Sequence, residues 1–146
     1  MPLGNVELVN ASLQKYNKGT SATIPLGKVA IIDASLTPDG WKLCNADDAP
    51  GPFVVAVNDL AAATDAYFTG AGAGTIVVVE AGGAIQPGAA VKADQNGDVV
   101  AADLTGTAPD AFGTIVGTYL TKDGTIDQAA AADGDAIRIR LGGASV

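Results

Sequence analysis

Two stretches of the sequence, TIPLGKVAIID and AIQPGAAVKAD, share one pattern of isoleucine, proline, glycine and aspartate at residues 23–33 and 84–94. In both, glycine lies three residues after isoleucine, and aspartate nine residues after it. This order suits the entrance of a β-hairpin, because glycine permits a tight turn and aspartate accepts backbone N–H bonds in the next turn. The matched pairs lie 61 residues apart: Ile24 and Ile85, Gly27 and Gly88, Asp33 and Asp94, and Ile76 and Ile137.

The constant spacing predicts an internal repeat, with one half at about residues 23–80 and the other at about 84–143. Phe53 and Phe112 extend the match, because each opens an apolar strand after a proline-containing loop, with the offset slipped by two residues. The alternative is a chance likeness, since small β-proteins with glycine and aspartate turns share such features.

Short β-branched runs bounded by turn residues predict a mainly β fold. The runs are KVAIID (28–33), FVVAV (53–57), TIVVVE (75–80), AVKAD (90–94), FGTIVGTYL (112–120) and AIRIRL (136–141). Turns are predicted at 38–40, 96–97 and 122–124, and loops at 70–74 and 129–135. The alanine-rich residues 60–68 predict a short helix or a strand connection.

The last predicted strand alternates in polarity, which indicates one buried face. Ile137, Ile139 and Leu141 fall on that face, and Arg138 and Arg140 fall on the opposite one. The arginines are expected to be solvated or paired with carboxylates, and contact with an acidic partner is the alternative.

The first 22 residues differ from the rest, because apolar residues are sparse and the segment ends in a turn-like NKGTSA. We predict an N-terminal arm at 1–22, disordered or paired with a partner, followed by a single β-rich domain at 23–146. The alternative is that part of the segment forms an ordinary edge strand of the domain.

The charge argues against several functions. The net charge is −8, and it is uneven: residues 1–45 hold four lysines against three acids, and the remainder holds four bases against thirteen acids. No basic patch is present for nucleic acid, and the acidic bulk is unfavourable at an anionic membrane. The N-terminus lacks the features of a signal peptide, and no apolar run is long enough for a membrane helix. We therefore expect synthesis in the cytosol.

The chain offers little to catalysis or metal binding. It has no histidine, which removes Ser-His and Cys-His machinery, and the single Cys44 is expected to be a small buried hydrophobe. DQNGDVV (94–100) lacks the residue spacing of an EF-hand calcium loop. The glycines of GAGAG (70–74) come before a predicted strand, whereas the glycines of a phosphate-binding loop come after a strand. The acids at 47–48, 94–98 and 133–135 lie in turns. No catalytic, cofactor or metal site is predicted, and we expect no enzyme.

Two further possibilities for a site are weaker. Lys92 loosely resembles the exposed lysine of a biotinyl or lipoyl hairpin, but the flanking methionines are missing and the residue lies at a strand end. Trp41, Tyr67 and Tyr119 are the plausible stacking aromatics with polar handles. They make a small-ligand or glycan-binding β-module the alternative function.

Residues 75–143 resemble the head decoration, or capsid cement, proteins of tailed bacteriophages. The resemblance is carried by VVVEAGGAIQPGAAVKADQNGDVVAA, then FGTIVGTYL, then AADGDAIRIRLGG. Residues 23–68 follow the same order more loosely, and residues 1–22 match the family's extended arm in position and character. These motifs are mainly structural glycines and turns.

The resemblance implies a compact β-tulip or β-barrel-like domain, usually a homotrimer, bound outside the capsid at three-fold positions. The arm would add β-strand pairing to the major capsid protein, since main-chain hydrogen bonds supply affinity without a deep pocket. We therefore expect a structural virion protein that bridges and stabilises capsid subunits. The residues predicted to carry capsid binding are Leu3, Val6, Leu8, Val9 and Leu13.

Overall fold

A computed structural model describes residues 3–4, 13–20, 22–36, 40–58, 61–122 and 128–142, and these residues contain ten short strands. The strands are β1 (Leu13–Asn17), β2 (Val29–Ile32), β3 (Trp41–Leu43), β4 (Val54–Ala56), β5 (Tyr67–Ala71), β6 (Ile76–Glu80), β7 (Ala90–Ala93), β8 (Val99–Ala101), β9 (Ile115–Lys122) and β10 (Ala136–Leu141). Within these ranges the one helical element is a 3-10 turn at Phe112–Thr114. The predicted mainly β class is confirmed.

The strands form two antiparallel sheets of identical topology. The first sheet has the order β1-β5-β4-β2-β3, and the second has the order β6-β10-β9-β7-β8. Each strand of the second sheet therefore corresponds to the strand five places earlier in the chain. The edge strands of each sheet also approach one another, through parallel bridges between Asn17 and Gly40 and between Ala81 and Val99. Both sheets thus curl towards a barrel.

The two stretches that share a sequence pattern, residues 23–33 and 84–94, also make the same backbone hydrogen bond. Gly27 N–H donates to Ala56 O at 2.8 Å, and Gly88 N–H donates to Tyr119 O at 3.0 Å. Both glycines occupy the left-handed region, with φ of 75° and 80°, which a side chain would disfavour. The two stretches are therefore the same turn in two halves, and the predicted organisation of the β fold in two halves is confirmed.

The aspartates that end the two stretches have the predicted role in turns. The Asp33 carboxylate accepts the Ser35 backbone N–H at 3.0 Å. The Asp94 carboxylate accepts the N–H groups of Asn96 and Asp98 at 2.8 and 3.0 Å. The second set of bonds closes the predicted Asn96-Gly97 hairpin between β7 and β8.

Two of the matched pairs do not correspond as the spacing suggested. Ile76 begins β6, whose counterpart is β1, and it pairs with Arg140 of β10, so its match to Ile137 is wrong. Phe53 and Phe112 do precede corresponding strands, but Phe53 is fully buried whereas Phe112 is 75% exposed. Loops of different length shift the offset along the chain, and a constant spacing cannot follow that shift.

The alanine-rich residues form a strand connection, which is one of the two predicted possibilities, whereas the GAGAG segment differs from the prediction. Residues 61–66 form turns, with Ala61 bridged to Ile24, and β5 begins at Tyr67. Gly70 and Ala71 belong to β5 and lie in the sheet, not in a loop. A glycine fits there because the ring of Tyr16 lies over it: a β-carbon at Gly70 would come within 2.8 Å of that ring.

The first sheet is apolar on both faces. Its strands alternate, so that Val29, Val55 and Ala71 join a large core that also contains most of the buried residues of the second half. Their neighbours Ala30, Val54, Ala56 and Phe68 join a smaller core that draws only on the first half. The large core therefore unites the two halves in one domain.

The second sheet keeps the predicted alternation of its last strand. Ile137, Ile139 and Leu141 are buried, whereas Arg140 is exposed. Arg138 donates to Thr121 Oγ1 at 2.8 Å and to the Lys122 carbonyl at 2.9 Å.

Polar contacts also join the halves. Val29 N–H donates to Gly97 O at 2.9 Å, and the Lys28 ammonium contacts the carboxylates of Asp98 and Glu80. The pKa of Lys28 is raised, because these ion pairs and hydrogen bonds outweigh the opposing effect of burial.

Candidate functional site

The residues predicted to bind a capsid lie partly within the described chain. Leu3 is half-buried, and Gly4 N–H donates to Val78 O of β6 at 2.7 Å. Leu13 begins β1 and is 40% exposed. Val6, Leu8 and Val9 lie outside the described residues. The role predicted for these five residues stays a prediction, as does the boundary between arm and domain.

Strand β1 is an edge strand of the first sheet. It pairs with β5 along its whole length, from Leu13 opposite Ala71 to Asn17 opposite Tyr67. On its other edge, the bridge from Asn17 to Gly40 is the contact seen among described residues. Gln14 and Lys15 are exposed. An edge with unused backbone groups can accept another strand or turn.

An aromatic cluster anchors β1 to the domain. The ring of Tyr16 meets Trp41 edge-on, with centroids 5.2 Å apart, and lies 5.7 Å from Phe68. Tyr16 is buried, and its hydroxyl has no hydrogen-bond partner in the described chain. Burial raises the pKa of this phenol. Residues 13–17 are thus bound into the first sheet by packing as well as by pairing.

A cleft of about 460 Å³ runs along the seam between the two edge strands. β1 contributes Gln14, Lys15, Tyr16 and Asn17, and the other lining residues are Ile32, Trp41 and Tyr67. Ile32 and Tyr67 are exposed at 46% and 58%. The cleft therefore offers apolar contact area, a strand edge, a lysine and a buried hydroxyl in one place.

The three aromatics considered for ligand stacking do not all come together. Trp41 and Tyr67 line the same cleft. Tyr119 is fully buried in the large core, where its hydroxyl donates to the Ala129 carbonyl at 2.6 Å. Sequence separation hid the association of Trp41 with Tyr67, because β3 and β5 are not neighbouring strands in the sheet.

The turn carboxylates have structural partners. Asp47 accepts the Gln95 N–H at 3.1 Å, and Asp135 accepts the Ala132 N–H at 2.8 Å. In the part of the chain that the structure describes, no three or more cysteine, aspartate or glutamate side chains are grouped to hold a metal ion. The same part of the chain contains no helix able to span a membrane.

Lys92 and Cys44 are both engaged. Lys92 bridges Asp48 and Asp110 at 2.5 and 3.0 Å, and its pKa is raised, first by the hydrogen bond to Asp48. Cys44 is fully buried as expected, its thiol donates to the Ala46 carbonyl at 3.3 Å, and burial raises its pKa.

The seam cleft is the feature that the sequence did not predict. Tyr16 stood in a segment read as an arm, and Ile32 stood at the end of a run read as an ordinary strand. The one available signal was the exposed apolar position next to Asp33, where the strand ends.

Comparison with known proteins reveals a fold of a phage head protein. No protein-family model matches the chain, and no curated protein matches it. Among solved structures, the chain is similar to the N base of the head fiber gp8.5 of bacteriophage phi29, with 13% sequence identity and a TM-score of 0.62. The alignment covers 90% of this chain and 95% of that one. The resemblance to phage head proteins is thus confirmed at the level of the fold.

Proposed function

We propose that the chain is a structural protein of a phage virion, which binds the outside of the capsid and stabilises it by bridging subunits of the major capsid protein. The observation that carries the proposal is the similarity to a phage head fiber base over 90% of the chain. The role is structural, and no catalytic step is assigned to the carboxylates, which serve turns and ion pairs.

Attachment by the N-terminal segment fits the chemistry of the domain. The bulk of the protein is acidic, and attachment through the backbone groups of a strand edge and through apolar side chains does not depend on that charge. The exposed Leu13 at the start of β1 is where the segment enters the sheet. If several copies are held together, each copy contributes a modest contact with the capsid. The assembly then dissociates slowly, because all of these contacts must break at once.

The test is co-sedimentation with empty capsids assembled from the major capsid protein of the phage that encodes this chain. Deleting residues 1–16 is too severe, because it removes Tyr16 from the small core. Deleting residues 1–12 keeps β1 whole. We expect this truncation to lose capsid binding while circular dichroism and thermal unfolding show a folded β-protein.

Matched variants of the full chain distinguish the effect of losing the segment's apolar side chains from the effect of shortening the chain. The full chain with Val6→Ser, Leu8→Ser and Val9→Ser should lose binding like the truncation, whereas Asn5→Ser, Asn10→Ser and Ser12→Ala should bind as the wild type. Normal sedimentation of the truncated protein with capsids would refute attachment by this segment.

A small-ligand or glycan-binding module is the second candidate. It is favoured by the presence of Trp41 and Tyr67 in one cleft. Trp41 is the one tryptophan of the chain, so its fluorescence reports directly on the cleft. A saturable change on titration with a glycan panel, abolished by Tyr67→Ala, would favour this candidate. A flat response across the panel would reject it.

A further inference from the structure

The repeat allows each position of the seam cleft to be matched to a position in the second half. Ala56 and Tyr119 correspond, because each accepts the N–H of the repeated glycine. They pair with Gly70 and Ile139, so Phe68 and Ile137, two residues earlier on β5 and β10, correspond too. Tyr16 and Val79 face these, which matches Lys15 of β1 to Val78 of β6.

The position on β6 is already occupied from within the chain. Val78 is fully buried, and its carbonyl accepts the Gly4 N–H at 2.7 Å. The Gly27 turn covers the same carbonyl, since a β-carbon on Gly27 would lie 3.1 Å from it. Next to this contact, Lys28 reaches Glu80 at 3.4 Å. Gly4 and the neighbouring Gly27 turn therefore together cover this part of the free edge of β6.

The corresponding position on β1 is open, and so is the corresponding turn. Lys15 is exposed and lines the seam cleft. The Gly88 turn matches the Gly27 turn, yet Gln86 and Gly88 are exposed. Among the described residues, apart from its two chain neighbours, no heavy atom would lie within 4 Å of a β-carbon placed on Gly88. One chain thus carries an unused acceptor surface on its first half and an unused turn on its second half.

We propose that the seam cleft binds the Gly88 turn of a second copy of this chain, which reproduces between chains the contact that joins the two halves. The contact is heterologous, because the cleft and the turn are different surfaces. Such a contact closes into a ring when the rotation between successive copies divides a full turn. Charge does not oppose the pairing, because residues 84–90 contain no charged side chain and Lys15 is the one charged residue among the described residues that line the cleft.

Cross-linking of two variants, each with one added cysteine, tests this pairing independently of any capsid. Lys15→Cys and Gln86→Cys are made in separate full-length proteins, mixed, and treated with a short bis-maleimide. We expect a covalent dimer in the mixture and none above background in either protein alone. The wild type reports the background, because its Cys44 is buried.

The matched control replaces Gln86→Cys by Asp133→Cys, at an exposed turn position on the same half. The proposal predicts no dimer with this control. Equal cross-linking by both pairs, or a dimer formed by Lys15→Cys alone, would overturn it, since the first shows random collision and the second shows a symmetric contact.

The molar mass in solution gives a second readout that needs no cysteine. Light scattering is expected to show an oligomer for the wild type and a monomer for Tyr67→Glu, because that change places a charge in the cleft at a 58% exposed side chain. Leu104→Glu, at a 53% exposed residue outside the cleft, should leave the mass unchanged. A monomeric wild type, or an oligomer unaffected by Tyr67→Glu, would refute the interface.

Discussion

A β-carbon at Gly70 would collide with Tyr16, and this makes Gly70→Ala an informative perturbation of the first half. The added carbon would lie 2.8 Å from Cδ2 and Cε2 of the Tyr16 ring and 3.3 Å from Cβ of Val54. Gly70 does not have positive φ, so the change adds steric contact and no backbone strain. The ring is held between Trp41 and Phe68 and cannot simply swing away.

The expected cost follows from overpacking a closed core. An added carbon in a well-packed interior destabilises by about 1–3 kcal/mol, whereas glycine to alanine in an unobstructed strand gains roughly 0.5–1 kcal/mol. The second half shows how the conflict is resolved, because Ile139 stands at the position of Gly70 and Val79 at that of Tyr16. In a protein that already carries Tyr16→Val, Gly70→Ala should therefore change the free energy of unfolding by about zero.

Urea unfolding of the four proteins of this cycle measures the coupling. We expect an interaction free energy of about 1–3 kcal/mol between residues 16 and 70. Tyr16→Val alone should lower the free energy of unfolding by about 3 kcal/mol, because it leaves a cavity. Gly113→Ala is the control, because no atom lies within 4 Å of its β-carbon, and it should change stability by less than about 0.5 kcal/mol. The same cost for Gly70→Ala in both backgrounds would refute the proposed contact.

Three further predictions concern single side chains. Tyr119→Phe leaves the Ala129 carbonyl without its 2.6 Å donor, so urea unfolding should show a loss of about 1 kcal/mol, and no loss would contradict that bond. The Asp135 pKa is lowered by the Ala132 N–H and by Lys122, so its contribution to stability is present above the ordinary aspartate pKa and is lost as the pH falls through the lowered one. Asp135→Asn should therefore shrink the fall in melting temperature between pH 6 and pH 3, and an unchanged fall would contradict the linkage. Cys44 should react with a thiol reagent only after unfolding, because burial raises its pKa, and prompt reaction of the native protein would argue against its burial.

Local chemistry in the sequence predicted most of the strands. The runs at 28–33, 75–80 and 136–141 became β2, β6 and β10, because β-branched residues with turn residues on both sides leave few alternatives. The glycine and aspartate of each echoed stretch were assigned their roles correctly for the same reason, since a tight turn makes specific demands on φ and on nearby N–H groups.

Long-range pairing is what the sequence did not reveal. Gly70 looked like part of a loop, because nothing near it in sequence shows that Tyr16, 54 residues earlier, covers it. The seam cleft depends on the curl that brings Asn17 to Gly40, and neighbouring residues do not encode that closure. The match of Ile76 to Ile137 failed because a fixed spacing ignores the different loop lengths in the two halves.

The two halves differ in the residues of their edge strands, β1 and β6, and in the residues that follow the Gly27 and Gly88 turns. Val78 and Glu80 of β6 contact the first half, and the matching positions on β1 are Lys15 and Asn17. Where the Gly27 turn continues into Lys28, which pairs with Glu80, the Gly88 turn continues into the neutral Ala89. The contact between chains can therefore share the backbone geometry of the internal one but not its ion pair, which makes it the weaker of the two. Because the contact between chains is the weaker one, the oligomer should dissociate on dilution at protein concentrations at which each domain stays folded.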